Sequence, residues 1–165
     1  MYGCNNDKNL KFRFQEMDFT YSAGMGGLYS IKIDSTGNFF LGEGRPPKRI
    51  YFGVLSDKEK FKLDSIYNVI SFNKFNTLYN DSLPDLSSYS IVITSKGKAE
   101  SFTVYGSNKE PEKLKAFSEH MVYLIHHVNL IPIDTVIIFK SLNKIYQVPE
   151  QGRYNERNNK NIPKY

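Results

Sequence analysis

The sequence predicts an α+β fold: a two-layer, mostly antiparallel sheet of hairpins with two helices packed on one face. Three observations lead there. Alternating apolar residues of period two mark strands at Leu10 to Phe19 and Leu28 to Asp34. Turn residues at Ser35-Thr36-Gly37-Asn38 and Ser95-Lys96-Gly97-Lys98 split neighbouring strands into hairpins. Apolar stripes of helical spacing run through Leu63 to Ile70 and Leu114 to Val128. Hairpins separated by helices, rather than strict strand–helix–strand alternation, favour an antiparallel or mixed sheet.

Taken in order, Leu10, Phe12 and Phe14 alternate with Lys11, Arg13 and Gln15, which predicts a half-buried first strand. Met25-Gly26-Gly27 breaks the chain. Tyr29, Ile31 and Ile33 then share one face of a second strand. Gly37 supplies the positive φ of the hairpin turn, Asn38 to Gly42 returns, and Arg49 to Val54 adds a fourth strand. Ser56-Asp57-Lys58-Glu59 reads as a capping box, in which hydroxyl and carboxylate each satisfy a free backbone N–H. Leu63, Ile66, Tyr67 and Ile70 follow at i, i+3, i+4 and i+7. Phe72, Phe75, Leu78 and Tyr79 are expected to cover one end of the core, and Asp81 to Asp85 to form a loop. Tyr89 to Thr94 and Glu100 to Tyr105 make the second hairpin. Pro111 opens a helix at its first turn, where a missing N–H costs nothing. Leu114, Phe117, Met121, Leu124, Ile125 and Val128 form its buried stripe. Thr135 to Phe139 reads as a last strand and Lys144 to Val148 as a weak one.

The chain has 165 residues, 40% of them hydrophobic, 24% charged and 15% aromatic. That is a globular composition, long enough for one domain with a substantial core. One cysteine excludes an internal disulfide framework and a cysteine-based zinc finger. No apolar run approaches the ~20 residues of a membrane span. Residues 10–148 are read as a single domain, 1–9 as a polar spacer and 149–165 as a flexible basic tail. Arg153, Arg157, Lys160 and Lys164 against Glu150 and Glu156 put part of the net charge of +5 into that tail. Cys4, in a small and polar stretch leading into the domain, is the candidate lipidation site of a mature bacterial lipoprotein. The alternative is an ordinary exposed thiol.

Gly24-Met25-Gly26-Gly27-Leu28-Tyr29-Ser30-Ile31-Lys32-Ile33-Asp34-Ser35-Thr36-Gly37 is followed by a Ser-capped helix, Phe72-Asn73-Lys74-Phe75, a loop, Tyr89 to Thr94, Gly97-Lys98 and a Pro111 helix. Over about Phe14 to Val128 this resembles an uncharacterised bacterial family of domains of unknown function. Its members often follow a lipoprotein signal and carry an opening motif of the form Cys-Phe-Gly-x-Cys-Pro-x-Tyr. Gly24 and Tyr29 match that motif, whereas Ser22 and Gly26 stand at its cysteines and Gly27 at its proline. The resemblance implies a fold and an envelope address. It transfers no redox or metal role and no catalytic residue.

Other residue types in the chain could carry chemistry. His120 and His127 lie seven apart on a helix, ~10 Å along one face, too far for one metal without a third element. They and His126 read as solvent-facing residues near a helix end. Gly24 to Gly27 precedes a strand, so it lacks the strand-to-helix setting of a phosphate loop. Ser22, Ser30 and Ser90 have no motif around them, and Glu43 and Asp34 have no diagnostic pairing. The aromatic rings fall on predicted buried faces, which leaves single-strand nucleic-acid stacking without support. Arg45-Pro46-Pro47-Lys48-Arg49 is the sharpest charged feature: prolines hold it extended and three cations project. Arg45, Lys48 and Arg49 are therefore candidate partner contacts, against the plainer reading of a solvated connection.

The expectation is a monomeric, non-catalytic binding or accessory module of the bacterial envelope. It uses no cofactor or metal, binds no nucleic acid and meets a protein partner. The alternatives are an inhibitor or immunity-type protein that blocks an enzyme, then a small hydrolase, then a cytoplasmic address.

Overall fold

Each period-two stretch that finds a partner edge becomes a strand, and each helical stripe becomes a helix. In the computed structural model residues 11–23, 27–70, 72–80, 86–106 and 110–145 are described. The spacer, Cys4 and the basic tail lie outside them. Among the described residues the strands are β1 (Glu16–Ser22), β2 (Leu28–Asp34), β3 (Asn38–Glu43), β4 (Arg49–Val54), β5 (Leu78–Asn80), β6 (Ser88–Ser95), β7 (Lys98–Tyr105) and β8 (Ile131–Ile133). The helices are α1 (Asp57–Val69), between β4 and β5, and α2 (Glu112–His127), between β7 and β8. One sheet contains all eight strands, in the order β5-β7-β6-β1-β2-β3-β4-β8. Every pair is antiparallel except β5 with β7. This is the α+β architecture that the hairpins and stripes predict.

Both helices bury their stripes on one face of the sheet. Leu63 of α1 and Leu114, Phe117, Met121 and Leu124 of α2 join Met17, Phe19, Ile31, Ile33, Phe39 and Ile91 in a continuous core. Burying one such side chain is worth about 1.5–3 kcal/mol. Ser56 begins α1 as expected: its Oγ accepts the Glu59 N–H, and the Glu59 carboxylate accepts the Ser56 N–H at 2.7 Å. Pro111 occupies the cap position of α2, one residue before the first turn. Where the chain leaving α2 crosses β4, a side chain on Gly53 would meet the Asn129 carbonyl at 2.6 Å, so the crossing requires glycine.

The structure corrects several expectations. The first strand begins at Glu16, not Leu10: residues 13–15 form a bend, Leu10 lies outside the described residues, and Phe12 and Phe14 stack at 4.6 Å inside the core. Their alternation reported burial, but no ladder reaches them. The final strand is Ile131–Ile133, and Asp134 to Phe139 has no regular structure. Valine and isoleucine suit a strand, yet β8 already closes the β4 edge and the chain then turns beneath the sheet. Lys144 and Ile145 sit in a turn, and 146–148 lie outside the described residues, as does the 81–85 loop. The short β5 has no signal in the sequence pattern, and Leu78, placed on the core by that pattern, is exposed.

Candidate functional site

The face opposite the helices is where the structure goes beyond the sequence pattern. Residues Glu16, Asp18 and Thr20 alternate with the core residues of β1 and so point away from them. Register then lines up Thr103, Ser90, Thr20, Ser30 and Gly42 across five strands. This row is buried although it is polar. Its hydroxyls satisfy one another: Thr20 Oγ1 lies 2.9 Å from Ser30 Oγ, and Ser90 Oγ lies 3.2 Å from Thr103 Oγ1.

Residues 134–145 cover it as a strap. From β8 the chain runs under the sheet to a 3₁₀ turn at Ser141–Asn143, which sits against β1 and β6. Phe139 and Leu142 pack with Ile50, Phe40 and Leu28 in a second, smaller apolar cluster. Phe139 lies so close to Gly42 that a Cβ there would be 2.7 Å from its ring. Ser141 Oγ joins the hydroxyl row at 2.7 Å from Thr20 Oγ1. The Lys140 N–H donates to Asp18 Oδ2 at 3.2 Å, and Lys140 Nζ pairs with Glu16 at 2.7 Å.

β8 and the strap expose aliphatic side chains among polar ones, since Asp134, Thr135 and Lys140 are exposed in the same stretch. Ile131, Val136 and Ile138 are 61%, 88% and 72% exposed. Pro132, at the middle of the edge strand β8, blunts that edge against pairing with another strand. Beside it lies the basic connection between β3 and β4. Gly44, at φ +87°, starts the turn, and the Arg45–Pro46 peptide is cis. Residues 44–47 form a turn, not the extended stretch predicted from the prolines. Lys48 and Arg49 line an open cleft of about 450 Å³ together with Pro47, Ile50, Pro132 and Asp134. Arg49 also pairs with Glu43, its register partner, at 3.0 Å, and stays 72% exposed. Arg45 is exposed in the same turn.

The remaining candidates fall elsewhere. Asp34 organises the first hairpin turn, accepting from Thr36 and Asn38 through both backbone and side chain. Those bonds hold its carboxyl below the usual range even though burial pushes it up. Ser30 and Ser90 are locked in the hydroxyl row on the face away from α2 and its histidines. Ser22 ends β1. The expectation of solvent-facing histidines fails for His120. It is half-buried on α2, and burial, with Lys62 nearby, lowers its pKa. His120 and His127 flank Tyr123 in a stack, with ring centroids 5.8 and 3.7 Å from it. Among the described residues no group of three or more His, Cys, Asp or Glu side chains is arranged to hold a metal. No helix among them is long and apolar enough to cross a membrane. Of the opening segment, Gly27 at φ +126° is described and 24–26 are not; the Ala23 N–H bonds to the Gly27 carbonyl between β1 and β2.

In comparison with known proteins, no family model and no curated protein matches the chain.

The strap was hidden from sequence reading. A signal did exist: Glu16, Asp18, Thr20, Ser30 and Ser90 are small or acidic at positions facing one way, and a buried polar row needs a polar cover.

Proposed function

We propose that this chain is a non-catalytic binding module whose contact face is formed by the basic turn at 45–49 and by residues 131–138, that is β8 and the start of the strap. The carrying observation is the cleft in which Lys48 and Arg49 meet Pro132, Ile133, Asp134 and Thr135, together with the exposure of Val136 and Ile138 on the segment that continues from it. Isolated exposed aliphatics are ordinary, but two on an irregular strap that continues from a cation-lined cleft resemble the apolar centre and polar rim of a protein interface. The partner that fits is a protein surface with an apolar centre and an acidic rim. Cations at the rim would steer its approach more than they would hold it. The non-catalytic reading is supported by the engagement of Ser30, Ser90, Asp34 and Glu43 in structural bonds. The envelope address, through a lipid on Cys4 and the family resemblance, belongs to the same proposal.

The test is site-specific photo-crosslinking from position 136 in envelope fractions, with Ile138→Asp as the disrupting variant and Phe61→Asp on α1 as the control. Phe61 is exposed on the opposite face of the molecule's sheet, so its variant is expected to leave the crosslink intact. Loss with Ile138→Asp alone supports the contact face. Equal crosslinking in all three proteins overturns it. A captured enzyme that loses activity on binding would turn the accessory role into a blocking one.

A further inference from the structure

We propose that Glu16, Asp18, Lys32 and Lys140 form a pH-sensitive latch that docks the strap on the sheet and thereby governs how the contact face is presented. The inference rests on the reading of the strap as that face.

The geometry is unequal. Two carboxylates and two ammonium groups meet where the strap crosses β1, but both ammonium groups favour Glu16. Lys140 Nζ lies 2.7 Å and Lys32 Nζ 3.2 Å from its oxygens. Asp18 is left with Lys32 at 3.7 Å and the Lys140 backbone N–H at 3.2 Å. Its side chain has no exposed surface, and its Oδ1 accepts no hydrogen bond. The groups facing Asp18 are Glu16 on β1, Lys32 on β2 and Lys140 on the strap. On β6 its register partner is the uncharged Val92, and the 3₁₀ turn offers Ser141.

Burial therefore pushes the Asp18 carboxyl up to about 7, with Glu16 adding to the rise and Lys32 and Lys140 opposing it. Burial pushes Glu16 up as well, but Lys140 and Lys32 outweigh it and hold that carboxyl below the ordinary range. Undocking the strap admits water, and relief of burial brings Asp18 back toward the ordinary value of about 3.9, even though the Lys140 N–H and ammonium, which favour the carboxylate, leave with the strap.

The signs follow. Docking raises the Asp18 pKa, so its contribution is full below about pH 4 and is lost as pH rises to about 7, at up to about tenfold in the docking equilibrium per pH unit. Above about 7 there is no further loss. Glu16 acts oppositely: its contribution is present above its ordinary value and is lost as pH falls through its lowered one. Docking is thus strongest near about pH 4–5, where both contributions are largely present. Near neutral pH an ionised Asp18 loosens the strap that carries Val136 and Ile138.

The experiment is hydrogen exchange on the free wild-type chain at pH 5, 6 and 7.5, corrected for intrinsic rates. Amides of 134–145 are compared with those of α2. The expected result is at least a tenfold fall in strap protection between pH 5 and 7.5, with α2 unchanged. Asp18→Asn keeps the Lys140 bond and is expected to hold the strap protected at every pH. A flat wild-type profile, or an identical profile in Asp18→Asn, overturns the latch. Should the variant fail to fold, the carboxyl carbon of Asp18 in the wild type decides by NMR. A midpoint near 7, shared by the strap resonances, supports the latch, and a midpoint below 5 overturns it. None of these measurements involves a partner. Failure here leaves the contact face standing, and failure of the crosslinking test leaves the pH-dependent docking of the strap standing but removes the face it would present.

Discussion

The two faces of the sheet are held by different physics. The helix face buries Phe19, Ile31, Phe39, Phe117 and Met121 with no exposed surface, in a large apolar core. The strap face buries Asp18, Thr20, Ser30, Ser90 and Ser141, and covers them with an irregular segment. Apolar burial is non-directional and nearly indifferent to pH. Buried hydroxyls and carboxylates stabilise only while each partner stays in place, and leaving one unpaired costs more than the bond contributed. The helix face is therefore the stable foundation, and the strap face is the side that can yield without unfolding the rest.

Breaking the foundation is expected to have the largest effect. Phe117→Ala leaves a cavity between α2 and the sheet and should cost about 3–5 kcal/mol, read as a drop in the denaturant midpoint. Exchange protection should fall in both helices and the strap together. If only the strap responds, the contrast between the faces is wrong.

A smaller loss is expected from Gly42→Ala, about 1–3 kcal/mol, because the new methyl meets the Phe139 ring and Pro47. Its signature is selective: strap amides should lose protection while those of α2 keep theirs. An equal loss in both would mean that the strap is integral to the core.

Thr20→Val removes the hydroxyl that joins Ser30 to Ser141 and should cost about 1–2 kcal/mol. It sharpens the comparison, because shape is kept and only bonding is removed. An unchanged midpoint would show that the hydroxyl row does not hold the strap face.

The smallest effect belongs to Val136→Asp. On a side chain that is 88% exposed it should shift stability by no more than about 0.5 kcal/mol by thermal melting. A large shift would mean that Val136 supports the strap instead of facing a partner.

Local patterns determined a great deal by themselves. Leu114 to Val128 named the buried stripe of α2, Ser56 and Glu59 named the start of α1, and Gly37 and Gly97 placed the two hairpin turns. Each depends on residues a few positions apart, where spacing alone decides which side chains meet. Cations at Lys48 and Arg49 were legible as a charged turn for the same reason. Tertiary structure decided the rest. The Thr20–Ser141 and Asp18–Lys140 bonds span 121 and 122 residues, distances over which no sequence period operates. Ile131 to Phe139 has the composition of a strand, but whether it pairs, turns under the sheet or faces solvent depends on which edges other strands have already filled. That is settled by competition for partners across the whole sheet, and so the strap, its exposed aliphatics and the charged cluster beneath it appear only once the chain is folded.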